Sequence, residues 1–228
     1  MKFLKLIGVL IDYPQEVLWQ HRDELLAASN CSEISGKYQK QLRVFIQNLL
    51  DSDPLTAQER WLSLFDRGRS MSLLLFEHIH GESRDRGQAM VDLMDAYRAA
   101  GYEIDTRELP DYVPLVLEFL STQTQEQSRD WLHHVSHILS LLAARCAERE
   151  SPYQVLFEIL IEYADGKVQI ADLIQRAAKE VRDDTPEAMD KVWEEEAVRF
   201  GPEAPAQDCD APKRLPQGVL ISEKQVMP

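Results

Sequence analysis

Apolar residues recur along this chain at helical spacing almost from end to end. Leu4, Ile7, Leu10 and Ile11 share one face of a first helix that Pro14 ends, and Leu18, Trp19, Leu25 and Leu26 mark a second. The stretch Ser29–Gly36 is small and polar and reads as a loop. Leu42, Phe45, Ile46, Leu49 and Leu50 then form an i, i+3, i+4, i+7, i+8 stripe, which buries one helical face. Asp53-Pro54 is an N-cap followed by a proline suited to the first helical position; it opens a helix carrying Trp61, Leu64 and Phe65.

The pattern becomes unusual between Phe65 and Asp92. The apolar run Leu73, Leu74, Leu75, Phe76 reads as one short, deeply buried helix between charge clusters, Asp66, Arg67 and Arg69 before it and Glu77, His78, His80, Glu82, Arg84, Asp85 and Arg86 after it. Charges beside a buried run must be paired. The helix restarts after Gly81, with Ala89, Met90, Leu93, Met94 and Tyr97 inward and Gly101 as its C-cap. Residues 102–110 read as a connector. A run from Val113 to Leu120 tolerates Pro114 only in its first turn, and residues 121–128 form a polar link. One long helix is expected from Glu126 to Arg149. The next, capped by Ser151-Pro152, is apolar nearly all round and belongs at the centre of a bundle. An amphipathic helix over Val168–Val181 and an acidic one, opened by Asp184-Thr185-Pro186 and running to Phe200, complete the expected all-α fold. It is a single compact helical bundle over residues 1–200. From Gly201 the composition turns Pro-rich and polar, so 201–228 reads as a flexible tail.

Composition narrows the function. Thirty-nine acids against 25 Lys and Arg give a net charge of −14, which argues against binding nucleic acid, whose recognition needs a basic face, and favours basic partners. The run at residues 1–11 is cut short by Asp12-Tyr13-Pro14 and lacks a small-residue cleavage site. No run reaches the length of a membrane span. Three widely spaced cysteines, Cys31, Cys146 and Cys209, suit a reducing compartment. The expectation is a cytoplasmic protein, neither exported nor inserted in a membrane by itself.

Candidate chemistry is sparse. His78 and His80 would point to different faces of a helix, and His133, His134 and His137 lack a third ligand at suitable spacing. No nucleophile elbow, P-loop or dinucleotide-binding fingerprint occurs. Glu82, Arg84, Asp85 and Arg86 fit either an internal salt-bridge network reaching the Asp66-Arg67 loop or the rim of a peptide site. The acids Glu194, Glu195 and Glu196 beside Trp193 fit either a solvated face or an electrostatic lure.

Three blocks carry a resemblance: FDRGRSMSLLLFEHIHGESRDRGQAMVDL from Phe65, RELPDYVPLVLEFL from Arg107, and RDDTPEAMDKVWEEEAVRF from Arg182. With GVLIDYP at Gly8–Pro14, they resemble the NarJ/NarW-type (delta subunit) assembly chaperones of respiratory nitrate reductase over roughly residues 1–200. Glu108-Leu109-Pro110-Asp111-Tyr112 is similar to the E-x-P-D-H linker motif of the wider TorD/DmsD-like redox-enzyme maturation chaperones, with Tyr112 in place of the histidine. The resemblance implies a helical, non-catalytic chaperone that needs no cofactor of its own. It would bind the apo catalytic (alpha) subunit through that subunit's N-terminal segment while the molybdenum cofactor is inserted. The client-binding residues it suggests are Asp66, Arg67, Phe76, Glu77, His78, Glu82, Arg84, Asp85, Arg86, Glu108, Pro110, Asp111 and Tyr112. Two other classes remain open at this point: a permanent structural or adaptor subunit of a membrane redox complex, and a small helical enzyme using the histidines.

Overall fold

The computed structural model describes residues 2–80, 85–104, 108–165 and 168–196. The side chains of His80, Asp165 and residues 192–196 lie outside the described part, and with them the Trp193 acidic cluster. The protein is all-α: among the described residues there is no strand, and a lone antiparallel bridge joins Leu74 to Tyr112. Thirteen α-helices are described. The first four are α1 (Lys2–Ile11), α2 (Val17–Gln20), α3 (Arg22–Ala28) and α4 (Gly36–Asp51). The chain continues through α5 (Pro54–Phe65), α6 (Leu75–His80), α7 (Asp85–Ala99), α8 (Val113–Thr122) and α9 (Gln125–His134). The last four are α10 (Ser136–Glu148), α11 (Gln154–Asp165), α12 (Ala171–Ala177) and α13 (Pro186–Glu196).

The centre is α11, as its all-round apolar sequence predicts. Leu156, Phe157, Ile159, Leu160, Ile161 and Tyr163 are buried, and α1, α4, α9 and α10 pack around it. Phe65 of α5 stacks among Trp61, Tyr153 and Phe157 with ring centroids 5.1–6.4 Å apart, which adds directional packing to the area buried. The Trp61 indole donates to the Ile11 carbonyl at 2.7 Å, satisfying a group that burial would otherwise leave costly. Asp53 caps α5 as expected, its carboxylate accepting from the Thr56 amide at 3.1 Å. Gly101 ends α7 at φ +82°, the left-handed conformation that favours glycine.

Several elements differ from the pattern. The second helix is two pieces, α2 and α3, that meet at His21. The long helix expected over Glu126–Arg149 breaks at Val135, where φ is −101° and ψ 7°; each half then lays its own stripe on α11. The polar link shrinks to Gln123-Thr124, because Thr124 and Gln127 form a reciprocal capping box that starts α9 early. The run Leu73–Phe76 is not one helix. Leu73 and Leu74 lie outside any helix, bonded to Val113 and bridged to Tyr112, and α6 starts only at Leu75. The helix expected over Val168–Val181 is confined to Ala171–Ala177, after which the chain turns so that Glu180 reaches Arg145 of α10 and Asp184 reaches Arg149 just past its end. The inward stripe of α7 buries only Leu93 and Tyr97; Ala89, Met90 and Met94 stay half-exposed.

Candidate functional site

Residues 108–112, ELPDY, form a tight turn that stitches four elements together. The Tyr112 amide donates back to the Leu109 carbonyl at 3.0 Å, and the Pro110 carbonyl accepts the buried Tyr97 hydroxyl of α7 at 2.8 Å. The Asp111 carbonyl accepts from the Leu75 amide at 3.1 Å, while the Leu73 carbonyl accepts from the Val113 amide at 2.9 Å. One carboxylate oxygen of Asp111, Oδ2, accepts from the Phe76 amide at 2.9 Å. It satisfies an orphan donor in the first turn of α6 from outside that helix. Tyr112 opens α8 and donates its hydroxyl to Asp12 Oδ1 at the end of α1, 2.8 Å away.

Asp111 is fully buried. Burial pushes its carboxyl above the ordinary carboxylate range, against the stabilising pull of the Phe76 amide and of Arg86. Its second oxygen, Oδ1, and the Arg86 Nε are both buried without a hydrogen-bond partner among the described residues. Arg86 also pairs with Glu77 at 3.3 Å. His78 turns inward, its Nε2 donating to the Ser72 carbonyl at 2.9 Å. Burial lowers its pKa, opposed by the hydrogen bond to Ser72 and aided by the charge of Arg145, which favours the neutral ring. Among the described residues no group of three or more His, Cys, Asp and Glu side chains could hold a metal ion.

On the far side of Tyr112 lies a cleft of about 150 Å³ between α1 and α8. Gly8 sets their close approach, since a Cβ there would stand 3.2 Å from the Pro114 carbonyl oxygen. Val9, Pro114 and Leu115 supply apolar walls, and Asp12, Glu108 and Glu118 supply carboxylates. Lys5 also lines it, bound to Glu118 at 2.7 Å with both side chains more than half exposed. The cleft offers room for one aliphatic side chain beside groups that attract cations.

The structure brings together seven of the residues singled out from sequence. Phe76, Glu77, Arg86 and Asp111 meet around the start of α6, Pro110 is anchored by Tyr97, and Glu108 and Tyr112 reach the cleft. Asp66 and Arg67 are exposed after α5, Asp85 is exposed at the start of α7, and none of them lines the cleft. Glu82 and Arg84 lie outside the described residues. Among the described residues two separate networks stand in this region. Arg86 turns to Glu77, and the loop after α5 is held by other residues. The Ser70 amide and hydroxyl both donate to Asp183, its carbonyl accepts from Arg145 at 2.7 Å, and its hydroxyl accepts from Arg149 at 3.2 Å. Arg149 in turn lies 3.5 Å from buried Asp184, which Arg182 grips with two hydrogen bonds of 2.9 and 2.7 Å.

Sequence reasoning missed Lys5, Gly8, Asp12 and Glu118 as cleft residues. A glycine inside an otherwise apolar helix was the available signal for close approach.

The family model described as nitrate reductase delta subunit matches residues 31–158. The nitrate reductase molybdenum cofactor assembly chaperone NarJ of Escherichia coli strain K12 is 46% identical over 198 residues, covering 86% of this chain and 84% of that protein. The probable chaperone NarW of the same strain is 45% identical over 200 residues, 88% of this chain and 84% of that one. A probable chaperone NarJ of Bacillus subtilis strain 168 is 27% identical over 157 residues, covering 68% of this chain and 84% of its own. With the family model spanning more than half of its length, this chain belongs to the nitrate reductase delta subunit family.

Proposed function

We propose that this chain is a dedicated assembly chaperone of respiratory nitrate reductase. It binds the apo catalytic subunit, assists insertion of the molybdenum cofactor, and is absent from the mature enzyme. The observation that carries this reading is the kinship, over most of both lengths, to proteins named as molybdenum cofactor assembly chaperones. The same kinship favours a chaperone over a permanent subunit and over an enzyme.

The finer part of the reading concerns contact. The client's N-terminal segment seats an apolar anchor in the α1–α8 cleft while its basic residues meet Asp12, Glu108 and Glu118. Supporting this are the cleft's mixed lining and the net charge of −14. Opposite charge across such a rim raises the association rate and selects against acidic competitors. The Asp111 turn holds the wall of the cleft against α6 and α7, so the motif acts as a positioning element rather than as a reactive one.

Calorimetric titration with a peptide of the catalytic subunit's N-terminus, at two salt concentrations, tests it. Binding with a negative heat-capacity change that weakens with salt is expected. Absence of binding at both salts removes the N-terminal-segment mechanism. Full nitrate reductase activity in a strain lacking the chain would remove the chaperone reading itself.

A further inference from the structure

The outer side of α4 carries the reverse of the acidic cleft. Between Gly36 and Leu50 the chain holds Lys37, Lys40 and Arg43 and no acidic residue, although the whole carries −14. The three cations are exposed and stand three residues apart, so they are neighbours along one helix surface. None of them has an ion pair among the described residues; Lys37 lies instead over the Tyr38 ring, 4.7 Å from its centroid. On an acidic chain, such a cluster attracts an anionic segment that the rest of the surface repels.

Beside the cations the surface is apolar and concave. α4 and the entry to α11 enclose a cavity of about 320 Å³, against about 150 Å³ for the α1–α8 cleft. Val44, Phe45, Pro152 and Val155 wall it, Lys40 is its lining charge, and no carboxylate lines it among the described residues. Val44 is 52% exposed, and covering such a side chain is favourable. A cavity of about 150 Å³ takes a group the size of benzene, so this one admits a phenylalanine or tryptophan side chain. One turn earlier on α4, Lys37 and Tyr38 line a second cavity of about 610 Å³ that runs to α12. Its carboxylates are Asp172 and Glu158, and Glu158 already accepts from the Tyr38 hydroxyl at 3.2 Å and the Gln154 amide at 2.6 Å.

We propose that the α4–α11 groove is a second docking surface, for an acidic amphipathic segment of a partner protein. One aromatic or large aliphatic side chain fills the cavity between Val44 and Val155, and carboxylates beside it meet Lys40 and Lys37. The mode is a helix face laid into a groove; the anchor supplies most of the affinity and the charges supply rate and selectivity. The ligand is opposite in charge to one that suits Asp12, Glu108 and Glu118. The two surfaces share no lining residue, so they select different segments and can be filled together.

The test uses the full chain and a short glutamate-rich peptide bearing a single tryptophan. Two control peptides carry lysine in place of each glutamate, or alanine in place of the tryptophan. In NMR titrations the glutamate peptide should shift the amides of Lys40, Val44 and Val155 and leave those of Val9 and Tyr112 unmoved. Val44 is exposed, so V44E should keep the fold, which circular dichroism checks, and should weaken the peptide about tenfold, as expected when a buried apolar anchor is lost. K37E/K40E should weaken it roughly fivefold at low salt and less as salt screens the charges. No shifts on α4, equal binding of either control peptide, or unchanged affinity in V44E overturns the proposal. Two other occupants have their own signatures. Dimerisation of the chain alone that V44E abolishes, measured by sedimentation, gives the face to a second copy. Binding to phosphatidylglycerol vesicles without any response to the peptide gives it to lipid. Either result overturns the partner segment.

Discussion

Ser70 and Asp111 are both polar residues at turns where distant parts of the chain cross, and they are treated in opposite ways. Ser70 uses its amide, carbonyl and hydroxyl against Asp183, Arg145 and Arg149. Among the described residues around it, the Arg149 Nε alone is buried without a hydrogen bond, and that atom faces Asp184 at 3.5 Å. Asp111 is more deeply buried, yet one of its oxygens has no partner among the described residues, and Arg86, whose charge acts on it, has an Nε likewise without one. A polar network in which nearly every member is satisfied fixes one arrangement; one left part-satisfied stores cost. The first fastens residues 180–184 to the body. The second adjoins the cleft. The difference separates the anchor of this fold from a part-satisfied turn beside a cleft.

The largest effect should come from breaking the anchor. Arg149 is 8% exposed and links Ser70 to Asp184, so R149A should lower stability by about 3 kcal/mol, the range for stranding a buried charge. Chemical denaturation followed by circular dichroism measures it. Next comes G68A. A Cβ at Gly68 would lie 2.5 Å from Asp183 Oδ1, and Asp183 cannot swing away without releasing both donors of Ser70. A loss of about 1–3 kcal/mol is expected, with client binding by the folded molecules unchanged.

Acid titration gives the two regions opposite signs. Arg182 and Arg149 hold the Asp184 carboxyl down at about 2. Its stabilisation is therefore complete above the ordinary carboxylate value and is lost as pH falls through about 2. D184N should be less stable than the parent at pH 6, and the gap should close as pH drops from 4 to 2. For Asp111 the folded pKa is raised, so the folded state favours the protonated form, and stability falls as pH rises above the ordinary carboxylate value. D111N keeps an acceptor for the Phe76 amide and should equal or exceed the parent at pH 7, with no advantage remaining near pH 4. A D111N variant less stable than the parent at pH 7 would break the comparison, because Asp111 would then be a satisfied anchor too.

Much of the bundle was legible from periodicity. The stripes of α1 and α4, the Asp53 cap, the Gly101 stop and the central α11 all followed from local pattern, because a buried helical face must repeat near 3.6 residues. What the pattern hid was tertiary. Nothing in the run Leu73–Phe76 announces that half of it pairs with Tyr112, since an apolar run of four suits an extended segment as well as a helix. Val135 breaks a periodic stretch without Pro or Gly. The candidate site was legible only through ELPDY. Its buried partner Arg86 stood in a charge cluster whose members looked alike, and Asp12, Glu118 and Lys5 were ordinary surface charges until α1 met α8.

Within the cleft the effects should be smaller on stability than on binding. Y112F removes the hydrogen bond to Asp12 and should cost about 1 kcal/mol. It also frees Asp12 to meet a client cation. K5A is the sharper instrument. Lys5 and Glu118 are 59% and 56% exposed, and exposed pairs contribute ~0–1 kcal/mol, so the unfolding midpoint should barely move. The cleft, however, loses the one cation that lines it among the described residues, and Glu118 becomes available to the ligand. Client-peptide affinity at low salt should rise by a few-fold, the gain shrinking as salt screens it. R149A and K5A would then be mirror images, one altering stability without affinity and the other affinity without stability. If K5A leaves affinity unchanged at low salt while its fold is intact, the carboxylates of this cleft do not meet the client's cations.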